Sequence, residues 1–99
     1  MLSSKQRAYL RGLANKENAI FQIGKGGLND EIIKELDIVL EKRELVKVTV
    51  LETAFMTPRS ACEAICEEIG AEPVQCIGNK FVVYRMARAK DNRKIELPR

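Results

Sequence analysis

The sequence contains no histidine, and this absence removes several kinds of catalytic site from consideration. Neither a Ser/His/Asp triad nor a Cys/His pair can form without an imidazole. Carboxylates are abundant, but pairs such as Glu63 and Glu67, four residues apart, are typical of the solvated face of a helix. We find no catalytic cluster and expect that the protein is not an enzyme.

The chain has only three cysteines, Cys62, Cys66 and Cys76, and the odd number argues against a disulfide framework. Three thiolates without histidine would still lack a fourth zinc ligand, so we expect no metal and no other cofactor. The spacing of Cys62 and Cys66 is compatible with a shared metal or redox site. Both also share one apolar helical stripe with Ile65 and Ile69, and we interpret all three cysteines as core residues.

Long apolar runs are absent as well. No run approaches the ~20 residues that a membrane-spanning helix requires, and the N-terminus lacks the apolar segment of a signal peptide. The length of 99 residues suits one domain. We therefore expect a cytoplasmic protein with no membrane contact. We also expect a monomer with no small-molecule substrate.

The net charge is only +3, but the charges are unevenly distributed. The net charge is +4 over residues 1–28, −6 over residues 29–72, +2 over residues 73–86 and +3 over residues 87–99. Basic ends around an acidic middle favour an oriented contact with a polyanion. An unevenly charged, solvated surface with no such partner is the alternative.

Hydrophobic periodicity and turn residues predict seven elements in the order α-β-α-β-α-β-β. Two strand–helix–strand units imply right-handed crossovers, and a hairpin turn at Gly78-Asn79 adds a final antiparallel strand. The predicted fold is α/β, a mixed four-stranded sheet packed with three helices. We place the domain at residues 1–86 and interpret the polar, basic residues 87–99 as a flexible tail. The helices are predicted over residues 4–15, 30–42 and 58–69, and the strands over residues 19–23, 45–51, 73–77 and 80–85.

The loop Gly24-Lys25-Gly26-Gly27 joins the first predicted strand to the second helix. Its glycines let a sugar–phosphate backbone approach the main chain, the following helix directs N–H groups toward it, and Lys25 adds a cation. The spacing matches neither a nucleotide P-loop nor a dinucleotide fingerprint. A tight turn that needs glycine only for its backbone conformation is the alternative, and the loop alone does not decide between them.

Further cations could extend a phosphate-binding surface around this loop, although each could instead be a solvated side chain. Tyr9 is the only aromatic residue on the first helix, so the sequence gives base stacking little support. The candidates are Lys5, Arg7 and Arg11 on the first helix, Arg59 at the start of the third and Arg85 at the end of the last strand.

Three separated segments, residues 23–28, 45–48 and 74–85, resemble the CRM domain (chloroplast RNA splicing and ribosome maturation). In bacteria this domain occurs as stand-alone YhbY-like proteins. The resemblance covers about residues 2–86 and implies a fold similar to the C-terminal domain of bacterial translation initiation factor three. It also places the family's GxxG loop on residues 24–27.

The resemblance implies RNA binding without enzymatic activity, on precursors of the large (50S) ribosomal subunit in bacteria and on group II introns in organelles. We therefore expect ribosomal RNA in a pre-50S particle as the partner. The alternative is an adaptor that docks on ribosomal precursors through its acidic second and third helices.

Overall fold

All seven predicted elements are present in the computed structural model, which describes residues 2–99. Each helix begins at a side chain that accepts a main-chain N–H bond, with Ser3, Asn29 and Thr57 as the three N-caps. Such a cap stabilises a helix by about 1 kcal/mol. The helices are α1 (Ser4–Ala14), α2 (Asp30–Arg43) and α3 (Pro58–Ile69), and the strands are β1 (Phe21–Ile23), β2 (Leu45–Val50), β3 (Glu72–Ile77) and β4 (Lys80–Tyr84).

The sheet has the order β1-β2-β4-β3. Strand β1 is parallel to β2, whereas β4 is antiparallel to both of its neighbours. This confirms the predicted mixed sheet. The arrangement brings three connections to the same end of the sheet, which we call the loop end: the glycine loop (residues 24–27), residues 51–57 after β2, and the β3–β4 turn at Gly78 and Asn79.

The helices cover both faces of the sheet. Helices α2 and α3 pack on one face of the sheet and enclose the larger core cluster with it, while α1 packs on the other face of the sheet. Strand β4 is buried on both sides, since Phe81 and Val83 face the larger cluster and Val82 and Tyr84 face α1. Burial on two faces accounts for the continuous apolar sequence of β4. Among residues 2–99, no helix is long and apolar enough to cross a membrane.

The C-terminal segment (residues 87–99) differs from the predicted flexible tail, because it lies against the domain. The fully buried carboxylate of Glu44 accepts N–H bonds from Ala87, Lys94 and Ile95 at 2.7–2.9 Å. Burial alone would raise the pKa of this carboxyl, but the three bonds outweigh it and lower the pKa. Ile95 and Leu97 also pack on the cluster beneath α1. One buried carboxylate therefore orders a segment whose composition resembles a tail.

Candidate nucleic-acid interface

The glycine loop is a tight turn that also exposes its main chain. The N–H of Gly27 donates to the carbonyl of Gly24 at 2.9 Å, and Gly26 and Gly27 have φ angles of 94° and 60°. Residues that carry a side chain rarely adopt such φ angles, so the turn requires glycine at these two positions. A Cβ built on Gly26 would meet no atom of the described residues within 4 Å. The structure of the loop is therefore compatible with both interpretations of its sequence, a tight turn and a main chain that a ligand can approach.

The opposite side of the glycine loop packs on residues 51–57. A Cβ on Gly24 would lie 3.3 Å from side-chain atoms of Leu51 and Thr53. A Cβ on Gly27 would lie 3.7 Å from the carbonyl oxygen of Ala54. In addition, the N–H of Leu51 donates to the carbonyl of Ile23 at 2.8 Å. The two connections therefore form one continuous surface at the loop end.

Helix α2 begins directly after the glycine loop, but its dipole gives an anion limited help. The side chain of Asn29 occupies one of the free N–H groups, that of Ile32, at 2.9 Å. Asp30 and Glu31 both lie in the first turn and oppose the positive end of the helix. Attraction of a phosphate to this loop must therefore come chiefly from side-chain cations, of which Lys25 is exposed at its tip.

The structure brings two of the predicted cations together. Arg59 is exposed in the first turn of α3, immediately after residues 51–57. Arg7 on α1 donates its Nε–H to the carbonyl of Pro73 at 3.4 Å. Arg7 and Arg59 line one shallow groove along the edge strand β3. This groove continues the loop-end surface toward α1.

The other two cations of α1 have no described contact with the glycine loop. Lys5 is exposed in the first turn of α1, close to Leu2, whose N–H donates to Glu72 at the far end of the sheet. Arg11 lies one turn beyond Arg7 and is half-buried. The assignment of Lys5 and Arg11 to an RNA-binding surface stays a prediction.

The prediction that Arg85 belongs to this surface is wrong. Arg85 is only 7 % exposed, and its guanidinium forms an ion pair with the carboxylate of Asp37. It also donates to the main-chain oxygens of Asp37 at 3.0 Å and Ile69 at 3.3 Å. Arg85 therefore joins β4 to α2 and α3. Its carboxylate partner lies 48 residues away in the sequence, beyond the reach of any local pattern.

Two lysines that the sequence reasoning missed lie on the sheet face next to α1. Lys47 and Lys80 line a shallow cavity beyond the C-terminal end of α1, together with Asn15 and Ile77. Lys80 is exposed, whereas Lys47 donates to the carbonyl of Glu17 at 3.2 Å. The alternation of β2 could have indicated that Lys47 lies opposite the main core, but not that α1 leaves this part of the sheet open.

A third residue that was missed is Phe55, in the segment that packs on the glycine loop. Its side chain is 94 % exposed and its backbone has a φ angle of 53°. On the first helix, Tyr9 is the only aromatic residue that the sequence offers for base stacking. No sequence signal marked Phe55, because an isolated aromatic residue after a strand is usually assigned to the core.

The cysteines divide between core and surface. Cys62 is buried and Cys66 is half-buried on α3. Cys76 is exposed, so its assignment to the core is wrong. The reason is that β3 is an edge strand with an irregular register between Pro73 and Gln75, which leaves Cys76 uncovered beside the groove of Arg7 and Arg59.

Comparison with known proteins shows which family the chain resembles. The model of the CRS1/YhbY (CRM) domain matches residues 2–85. The chain is 43 % identical over 98 residues to Probable RNA-binding protein YqeI of Bacillus subtilis, covering 99 % of this chain and 100 % of the relative. It is 37 % identical over 98 residues to a protein of Haemophilus influenzae named RNA-binding protein, covering 99 % and 96 %.

The fold is also similar to a solved structure. The solution structure of the hypothetical protein SAV1595 of Staphylococcus aureus has a TM-score of 0.75 and 43 % sequence identity to this chain. The match covers 99 % of this chain and all of that one. The family match extends over all seven elements of the sheet and its helices, so the chain belongs to the CRS1/YhbY (CRM) domain family.

Proposed function

We propose that this protein binds RNA without enzymatic activity and that the loop end is the binding surface. The observation that carries the proposal is the exposed main chain of Gly26 at an end of the sheet that also carries exposed cations. The names of the relatives in B. subtilis and H. influenzae support RNA as the ligand. We define the loop-end cations as Lys25, Arg59 and Lys80.

The loop-end cations differ from the arginines that stabilise the fold. Within residues 2–99, neither Lys25, Arg59 nor Lys80 forms an ion pair with a carboxylate, whereas Arg85 and Arg88 both pair with Asp37. An unpaired, solvated cation can exchange its counterions for a phosphate without breaking an internal contact. The loop end therefore carries positive charges that form no ion pair within the described residues and can bind a phosphate.

The RNA that we propose is ribosomal RNA in a precursor of the 50S subunit. The support for this finer assignment is the resemblance of residues 23–28, 45–48 and 74–85 to bacterial YhbY-like proteins. The charge distribution is consistent with binding in one orientation, because the acidic α2 and α3 would be repelled by a polyanion. The glycine loop would contact the sugar–phosphate chain, and sequence selectivity would come from other contacts.

Neutralisation of the loop-end cations tests the proposal. Lys25→Gln and Arg59→Gln should each weaken binding to purified large-subunit ribosomal RNA and reduce the slope of log K against log salt by about 0.7–0.9. Matched controls are Lys34→Gln and Lys42→Gln, which remove exposed cations of α2. The site assignment fails if the control variants weaken binding as much as the loop-end variants, or if the slope is unchanged in all four.

The adaptor alternative is favoured by one observation, an acidic surface formed by α2 and α3. A protein partner with a basic surface could dock there, and RNA contact would then be incidental. Retention of the protein on 50S precursors after nuclease treatment would favour the adaptor, whereas release would favour RNA binding. The exposed carboxylates of α2 and α3 are Asp30, Glu31, Glu35, Glu63, Glu67 and Glu68.

A further inference from the structure

Phe55 projects from the loop end between two anchored neighbours. It follows the short 3-10 turn Glu52–Ala54, and its N–H donates to the carbonyl of Glu52 at 3.1 Å. Ala54 and Met56 are partly buried and pack against the larger core cluster. Phe55 itself is 94 % exposed. The chain therefore fixes the backbone on both sides of Phe55 and directs the ring into solvent.

Folding does not explain a phenylalanine at this position. The φ angle of 53° is in the left-handed region, which is unfavourable for a bulky residue and favours glycine. The exposed ring also gains almost none of the stabilisation that burial would provide. A residue that is unfavourable both in its backbone conformation and in its exposure is a candidate for a role outside the fold.

The position of Phe55 places the ring beside the proposed path of the RNA backbone. A Cβ on Gly27 would lie 3.7 Å from the carbonyl oxygen of Ala54 and 3.8 Å from the Sδ of Met56. Phe55 thus lies between the two residues that contact the glycine loop. The backbone of Phe55 is therefore adjacent to the loop that we propose contacts the phosphate, and its exposed ring is free to contact a base.

We propose that Phe55 stacks on an unpaired base of the bound RNA while the glycine loop and the loop-end cations contact the backbone. This inference rests on the proposed RNA-binding function and narrows its ligand to RNA with unpaired nucleotides. Both faces of a base inside a duplex are already stacked, so, apart from the outer face of a terminal base pair, only a loop, bulge or single strand offers a free face. Every base has a π-face, so the contact tolerates any sequence.

The test compares Phe55 variants on two RNA probes. One probe is a short hairpin with a wide unpaired loop, and the other is a fully paired duplex with the sequence of the same stem. Phe55→Ala should weaken binding to the hairpin about 5- to 150-fold, the range for loss of one stacked base. Its affinity for the duplex should stay within about twofold, and Phe55→Trp should retain hairpin binding.

Two further variants separate stacking from other effects. Phe55→Leu keeps an apolar side chain but removes the π-face, and it should bind the hairpin as weakly as Phe55→Ala. Phe55→Gly suits the positive φ angle, so it should raise the melting temperature and still bind weakly. A loss of affinity in a more stable protein cannot come from unfolding.

The salt dependence distinguishes failure of this inference from failure of the proposed function. Phe55→Ala should shift the plot of log K against log salt without changing its slope, because no charge is lost, whereas Lys25→Gln should reduce the slope. Hairpin binding by Phe55→Ala within about twofold of the unaltered protein would overturn the stacking inference and leave RNA binding intact. Equal hairpin binding by Phe55→Leu and Phe55→Trp would overturn it as well. Failure of the unaltered protein to bind either probe or ribosomal RNA would overturn both proposals.

Discussion

Replacement of Arg85 by alanine separates a structural role from an RNA contact. The Arg85 side chain is 8 % exposed, and its guanidinium contacts the Asp37 carboxylate, the Asp37 main-chain oxygen and the carbonyl of Ile69. Loss of these contacts would leave a carboxylate between α2 and β4 without its buried partner. We therefore expect Arg85→Ala to reduce the free energy of unfolding while the folded protein keeps its RNA affinity.

The expected magnitude follows from the surroundings of Asp37. Removal of one partner from a buried ion pair typically destabilises a protein by about 3–5 kcal/mol. The side chain of Asp37 is 32 % exposed and also pairs with Arg88 at 3.1 Å, so water and Arg88 would compensate part of its charge. We therefore expect the lower end, about 3 kcal/mol. In a domain of this size that loss lowers the melting temperature by about 12–24 °C.

Denaturant unfolding of Arg85→Ala measures this loss, and Arg88→Ala is the matched control. Arg88 pairs with the same carboxylate, but its side chain is 64 % exposed, so its removal should lower the free energy of unfolding by no more than about 1 kcal/mol. RNA titrations at a temperature where both variants are folded should give an unchanged salt slope for Arg85→Ala. A stability loss below about 1 kcal/mol together with a reduced slope would refute the structural assignment of Arg85.

Three further predictions concern the C-terminal segment and the glycine loop. Glu44→Ala removes the acceptor of three N–H bonds. Amide hydrogen exchange in the C-terminal segment should therefore accelerate, and the free energy of unfolding should fall by about 2–3 kcal/mol. Unchanged amide exchange would contradict this prediction. Hydrogen bonds from Asn92 and two main-chain N–H groups lower the pKa of Glu41 from 4.5 to about 2. The contribution of Glu41 to stability should be complete above pH 4.5 and lost as the pH falls toward 2. The free energy of unfolding, measured as a function of pH in the acid range, checks this. Glu41→Gln is the control, and its stability should not show this pH dependence. Gly26→Ala and Gly70→Ala both place a methyl group in open space at a positive φ angle, so each should reduce the free energy of unfolding by about 1 kcal/mol. Only Gly26→Ala should weaken RNA binding. Equal RNA affinities of the two variants would contradict the proposed role of the loop.

The element order was predictable because its signals are local. Thr57 and Pro58 mark the start of α3, Gly70 marks its end, and Gly78-Asn79 marks the hairpin, each through the conformation of one or two residues. The boundaries agree within two residues, with β1 starting at Phe21 rather than at residue 19. Such signals depend on no distant partner, so they persist in the folded protein.

The errors arose where a distant partner decides the environment of a residue. Arg85 and Asp37 are separated by 48 positions, and Glu44 contacts the N–H of Lys94 at a separation of 50. Neither contact produces a periodic pattern. A basic residue at the end of a strand and a polar C-terminal segment were therefore assigned to solvent. In the fold, Arg85 pairs with the partly exposed carboxylate of Asp37, and the C-terminal segment donates N–H bonds to the buried carboxylate of Glu44.

The candidate site was predicted in part for the same reason. The glycine loop and Arg59 were identifiable from the residues that flank them, since a strand precedes one and a helix start precedes the other. Lys80 and Phe55 were not, because their place in the proposed surface depends on which surfaces the helices leave uncovered. That property belongs to the packing of α1 and of residues 51–57, and composition does not reveal it.

The most direct test of the central claim is an amide NMR titration of the protein with a fragment of large-subunit ribosomal RNA. Binding at the loop end predicts chemical-shift changes in the glycine loop, in residues 51–59 and at Lys80, and little change in the exposed carboxylate face of α3 around Glu67 and Glu68. Changes confined to α2 and α3, with the glycine loop unaffected, would contradict the account.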